Sequence, residues 1–190
     1  MTTKINVNGD IQDDAFISVL DHGFLFGDSV YEVICTYQGK PYCLNDHLKR
    51  LYASASGISL EIPYDQNWIK TQIKATLDFA DNPDSYIRII VTRGVGDLDI
   101  DPSSCFKPNL IIFVKNIPQI PDEDYEKGIS VALVSIKRNS RDALDPAVKT
   151  GNYLNNVLAR VEAQKMGAAD AIMVNSLGQL LKERQVIYFL

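Results

Sequence analysis

The sequence predicts an α+β protein in two lobes. Runs rich in β-forming residues and runs with helical apolar spacing are interleaved without any repeating period. Residues 118–124 hold two prolines and three acids, and so read as a linker. The 190-residue chain is 46% hydrophobic, enough for a packed core and too much for a disordered tail.

Taken in order, Ile5-Asn6-Val7-Asn8-Gly9 reads as a short strand that ends in a turn. The stretch 31–42 is rich in β-formers and broken by Gln38-Gly39-Lys40, a hairpin signal. Asn45 is the expected helix cap, followed at helical spacing by Leu48, Leu51, Tyr52 and Ala55, with Gly57 as the stop. A second helix is expected over 68–79. The strands at 85–92 and 109–114 are nearly continuous in apolar residues, which predicts cover on both faces. Beyond the linker come a strand at 129–136 and a long polar loop at 138–151. Leu154, Val157, Leu158 and Val161 then mark a helix closed by Gly167. A strand at 169–174, a turn at 175–178 and a strand cut off at 190 complete the order. The expected lobes are therefore 1–117 and 125–190, the second one incomplete.

Composition narrows the function. Acidic residues outnumber basic ones, 24 to 19, giving a formal charge of −5 and arguing against a nucleic-acid partner. No apolar run approaches a membrane span, and Met1-Thr2-Thr3-Lys4 opens no signal-peptide core, so a cytoplasmic protein is expected. Three cysteines without a CxxC pair and only two histidines fit a reducing compartment and supply no zinc set.

Several residues have a bland reading beside a functional one. Asp97, Asp99 and Asp101 alternate like calcium ligands, but Pro102 stands where the sharp turn needs glycine, so a solvated loop is the default. Gly94-Val95-Gly96 is a fragment of a phosphate-binding loop that opens no apolar helix. Lys149, in a loop just before a helix start, reads alone as a surface lysine; in a partly desolvated pocket it could attack an aldehyde. Arg50 reads alone as a helix-face charge, with His47 three residues earlier on the same face. Tyr31 opens a strand and serves equally as core.

Together these residues resemble a family. Asp21-His22-Gly23-Phe24-Leu25-Phe26-Gly27-Asp28-Ser29-Val30-Tyr31-Glu32 resembles the N-terminal signature of class IV aminotransferases, the fold-type IV group of pyridoxal-phosphate enzymes. His47-Leu48-Lys49-Arg50-Leu51, Tyr86-Ile87-Arg88, Thr92-Arg93-Gly94 and Lys149-Thr150-Gly151-Asn152-Tyr153 follow in the family's order. The resemblance implies that Lys149 forms the Schiff base with pyridoxal 5'-phosphate and then shuttles a proton. It implies that Arg50 holds the cofactor phosphate, that Tyr153 and Tyr31 lie near the ring and substrate, and that Arg88 belongs to the substrate site. The implied substrates are an amino acid and a 2-oxo acid, and the implied assembly is a homodimer.

The D-amino-acid branch carries an R-x-H carboxylate trap where this chain has Leu98 and Ile100, which points to the branched-chain branch. The arginine that branch often carries after Y-E-x-I is Cys35 here. Aminodeoxychorismate lyase shares the fold and the lysine and stays open as an alternative. A non-catalytic dimerisation or binding module is a third reading.

The match departs after Gly178. The resemblance places a glutamate, partner of the cofactor's ring nitrogen, at position 182, and Lys182 stands there. Codons for the family's E-G-T-T-S-N-I-F-F, read after loss of the first base, can yield Lys-Glu-Arg-Gln-Val-Ile-Tyr-Phe, which is the sequence from Lys182 to Phe189. The expectation is therefore a frameshifted, truncated copy with little activity and an aggregation-prone second lobe.

Overall fold

The computed structural model describes residues 3–180, which fall into two compact units. The first runs to Pro118 and takes in Ala147–Asn152 as well; the second holds Gln119–Pro146 and the chain from Tyr153 onward.

The first unit contains β1 (Lys4–Val7), β2 (Asp10–Gln12), α1 (His22–Leu25), β3 (Ser29–Tyr37), β4 (Lys40–Pro41), α2 (Leu44–Gly57), α3 (Gln66–Ala80), β5 (Ser85–Thr92) and β6 (Asn109–Asn116). Its six strands form one antiparallel sheet in the order β2-β1-β6-β5-β3-β4. Both hairpin turns place two consecutive residues at positive φ, Asn8-Gly9 and Gln38-Gly39, the geometry that matches strand twist.

Alternation along the strands separates two faces. Val30 and Ile34, Ile87, Ile89 and Val91, and Leu110, Ile112 and Val114 pack against Leu48, Leu51 and Ala55 of α2 and Ile69 and Ile73 of α3. The opposite face is lined differently. Tyr31, Arg88, Ile90, Ile111 and Phe113 border a cavity of about 370 Å³. Among the described residues, the near-continuous apolar runs thus have helices on one face.

The helix ends obey different rules. Asp65 caps α3 by accepting a 2.7 Å bond from the Trp68 amide, as carboxylate caps do. The expected cap of α2, Asn45, lies inside the helix instead. Cys43 occupies the cap position in a left-handed conformation with no side-chain cap bond, because the short β4 hairpin turns the chain directly into the helix.

In the second unit, α4 (Asp122–Lys127) precedes β7 (Val131–Lys137), α5 (Leu154–Lys165) and β8 (Asp170–Val174). The strands β7 and β8 pair in parallel, with α5 packed on them. Its core is small: Ala132, Val134, Ala159, Ala163, Ala171 and Met173. The apolar stripe that marks α5 in the sequence faces outward, with Leu154, Val157, Leu158 and Val161 exposed to 64%, 52%, 48% and 41%. Alanines take the inner face because the helix lies close on the two strands. The expected strand from 179 reaches only an antiparallel bridge at Leu180 to Val174 before leaving the described residues, and Lys182 lies outside them.

Candidate active site

Lys149 reaches the site by backbone pairing. Residues 149–151 run antiparallel beside the start of β3, where β4 does not extend. The Tyr31 amide donates to the Lys149 carbonyl at 3.0 Å, and the Gly151 amide donates to the Ser29 carbonyl at 2.8 Å. Opposite residues share a face, so the Lys149 side chain falls beside Tyr31. Its ammonium lies 4.2 Å from the Tyr31 ring centroid. The Lys149 amide donates to Ser54 Oγ on α2 at 3.1 Å, which ties the segment to that helix.

Gly151 is required by close approach. A Cβ there would stand 2.1 Å from Ser29 Oγ, closer than any real contact.

Arg88 lies diagonal to Tyr31 on the same sheet face, since Tyr31 pairs with Ile90 and Val33 with Arg88. Its guanidinium carbon sits 4.3 Å from the Tyr31 ring centroid. Among the described residues, Arg88 Nε is buried without a hydrogen-bond partner. A buried donor left so is costly and marks a place for an acceptor.

Arg50 is held from the other face of β3. Glu32, next to Tyr31, points toward α2 and is fully buried. Arg50 Nε donates to Glu32 Oε1, Arg50 Nη2 donates to Oε2 at 2.7 Å, and His47 Nδ1 lies 2.8 Å from the same Oε2. Burial alone would raise the Glu32 carboxyl; the bonds from Arg50 and His47 outweigh it and hold the acid below its ordinary value. The Glu32 carboxylate in turn raises Arg50.

Four of the five expected site residues, Tyr31, Arg50, Arg88 and Lys149, lie in the first unit. Tyr153 belongs to the second, where its carbonyl accepts from the Val157 amide at 2.9 Å as α5 begins. Reading the sequence assigned no role to Glu32. The signal was present: one acid within Val30-Tyr31-Glu32-Val33-Ile34, at a spacing that faces the helix bearing His47 and Arg50.

Other candidates resolve into structure. Gly94 has positive φ, and a Cβ there would lie 2.0 Å from the Lys107 carbonyl, so close packing explains it. Asp101 caps a short 3-10 turn by accepting from the Ser103 amide at 2.9 Å. Among the described residues no group of three or more His, Cys, Asp and Glu could hold a metal, and no helix is long and apolar enough to cross a membrane.

The residues present suit a phosphorylated aldehyde. An amine stands at the sheet edge beside an aromatic ring, and a guanidinium on α2 is gripped along one side only, with its side chain 46% exposed.

Comparison with known proteins gives the family. A protein of Methanocaldococcus jannaschii, provisionally named a branched-chain-amino-acid aminotransferase, is 41% identical over 177 residues, covering 92% of this chain and 60% of its own length. The D-alanine aminotransferase of Staphylococcus haemolyticus is 34% identical over 173 residues, covering 90% of this chain and 60% of its own. The chain thus spans 60% of the length of these curated relatives. Among solved structures, the branched-chain aminotransferase of the archaeon Thermoproteus uzoniensis with norvaline superposes with a TM-score of 0.82 at 27% identity, covering 94% of this chain and 62% of that one. Residues 29–182 match the profile of amino-transferase class IV, and on that span the chain belongs to the class IV aminotransferase family.

Proposed function

We propose that the whole protein is a pyridoxal-phosphate-dependent transaminase that moves an amino group between a branched-chain-type amino acid and a 2-oxo acid. The observation that carries the reading is Lys149 held on the free edge of β3 with its ammonium 4.2 Å from the Tyr31 ring centroid. A lysine whose carbonyl is paired to β3 and whose amide is tied to Ser54 Oγ is placed to react rather than to sweep solvent.

The cofactor, when bound, supplies the electron sink for the bonds at the substrate carbon. The chain's own groups do the rest. Lys149 Nζ would hold the cofactor's aldehyde carbon and afterwards carry a proton. Arg50 would bind the phosphate through the side of its fork that Glu32 leaves free. Tyr31 fixes the approach of the lysine. Arg88 would offer Nε to a substrate carboxylate, while Ile5, Val7, Ile90, Ile111 and Phe113 suit an aliphatic side chain. Tyr153 is proposed as a cofactor contact on the resemblance alone.

Support for the branched-chain branch comes from Leu98 and Ile100 standing where a carboxylate trap would need arginine and histidine. A homodimer and a cytoplasmic location complete the proposal. The 190-residue chain alone is expected to turn over little substrate, because Lys182 would oppose a protonated ring nitrogen.

The test is chemical. The chain is incubated with pyridoxal phosphate, reduced with borohydride and digested for mass spectrometry. Label on Lys149, absent in Lys149→Ala, supports the site; label spread over surface lysines, or none, overturns it. Robust transamination by the 190-residue chain would refute the low-activity expectation. A gene with one base restored near codon 182 is expected to transaminate branched-chain amino acids.

A further inference from the structure

We propose that Glu32 is a positioning residue for Arg50: its buried carboxylate fixes the guanidinium plane and turns the outer edge of the fork toward a phosphate. The inference rests on the assignment of Arg50 to the cofactor phosphate.

Glu32 sits in the middle of β3 on the face otherwise filled by Val30 and Ile34. The sheet does not need an acid there, since well-packed apolar groups commonly replace buried ion pairs without loss of stability. What the acid adds is orientation. Arg50 and His47, three residues apart on α2, converge on the one carboxylate. Arg50 uses Nε and Nη2, the lateral edge of the guanidinium, so its plane and rotation are both set. The terminal edge, Nη1 with the second hydrogen of Nη2, lies outside that grip.

His47 completes the arrangement. Its Nδ1 lies 2.8 Å from Glu32 Oε2, the oxygen that also accepts from Arg50 Nη2, so imidazole and guanidinium hold the carboxylate together. A half-exposed arginine otherwise samples many rotamers and loses that freedom on binding. With two atoms already fixed, most of that loss is met before any ligand arrives, and the terminal edge binds phosphate oxygens at lower cost.

The experiment compares pyridoxal phosphate with pyridoxal, which lacks the phosphate, by absorbance titration of the full 190-residue chain. The ratio of their dissociation constants reports the phosphate contact alone. Wild type is expected to prefer the phosphorylated compound. Arg50→Gln is expected to cut that preference at least about tenfold, the worth of one charge-assisted hydrogen bond. Glu32→Gln is expected to cut it to a similar degree while pyridoxal affinity stays within about threefold, since the amide keeps the shape but loses the charge that clamps both donors. The double variant is expected to be no worse than Arg50→Gln. Glu32→Asp, which keeps the charge but draws it back by one methylene, is expected to fall between.

A preference unchanged in both Glu32 variants but lost in Arg50→Gln overturns the positioning role and leaves the phosphate reading standing. Equal weakening of both compounds in Glu32→Gln assigns Glu32 to the fold alone and also overturns it. A preference unchanged in Arg50→Gln, or absent in wild type, overturns the phosphate reading and this inference with it.

Discussion

Tyr31 and Lys149 are joined twice: the Tyr31 amide donates to the Lys149 carbonyl at 3.0 Å, and the Lys149 ammonium lies 4.2 Å from the Tyr31 ring centroid. Backbone and side chain therefore agree on one placement. Tyr31→Leu keeps the backbone bond and removes the ring that Arg88 and Lys149 share. It is expected to destabilise the protein by about 1–3 kcal/mol, from lost cation–π contact and a poorer fill of the site. A urea titration checks it; an unchanged midpoint would show the ring to be idle.

Gly151→Ala is expected to cost about 1–3 kcal/mol, because its Cβ would collide with Ser29 Oγ, an atom at the end of a short buried side chain. Combining it with Ser29→Ala removes the colliding atom and is expected to restore much of the loss. Thermal melts of both single variants and the pair form the cycle; simple additivity would mean that the clash is not the cause.

Acid stability carries the signature of Glu32. Its folded pKa is lowered, so its contribution is present above the unfolded carboxyl value of about 4.3 and fades as pH falls through the folded value. Arg50 is partly exposed to water, which reduces the contribution to about 1–2 kcal/mol. Glu32→Gln is expected to lose stability at neutral pH and to show a flatter decline as pH falls below the ordinary carboxyl range. Denaturant titrations at several pH values check this; parallel curves for the two proteins would contradict it.

The second unit should make the chain self-associate. Val131 and Leu133 on the outer face of β7 are 50% and 58% exposed, and the outward stripe of α5 exposes a second apolar surface. Leu133→Lys with Leu158→Lys is expected to raise the soluble concentration while changing stability by less than about 1 kcal/mol, since neither side chain is fully buried. Sedimentation of both proteins decides it; equal association would place the sticky surface elsewhere.

Much of this was legible in the sequence. The hairpin broken at Gln38-Gly39, the helix through Leu48, Leu51 and Ala55, and the strand at 85–92 follow from periodicity and turn chemistry, which act over a few residues. The order of motifs gave the family. What stayed hidden depends on distant partners. Asn45 resembles a cap, but the hairpin exit hands that position to Cys43. The stripe Leu154, Val157, Leu158 and Val161 signals a helix correctly, yet periodicity does not say which face turns inward when alanines let two strands come close. Glu32 stands out locally as the one acid of its apolar strand, but which residues it meets, His47 and Arg50 on α2, depends on how helix and sheet pack.

The return of residues 147–152 to the first unit has a consequence for how the protein can be divided. A piece ending at Pro118 would carry the tyrosine, both arginines and the clamping glutamate, yet lack the amine, which arrives only after the chain has left and come back. The lysine proposed to hold the cofactor is thus delivered by the second traverse of the polypeptide. A single cut anywhere in 119–146 would leave that strip attached to the other piece, so the chemistry cannot be inherited, swapped or transplanted with the first unit's leading segment alone.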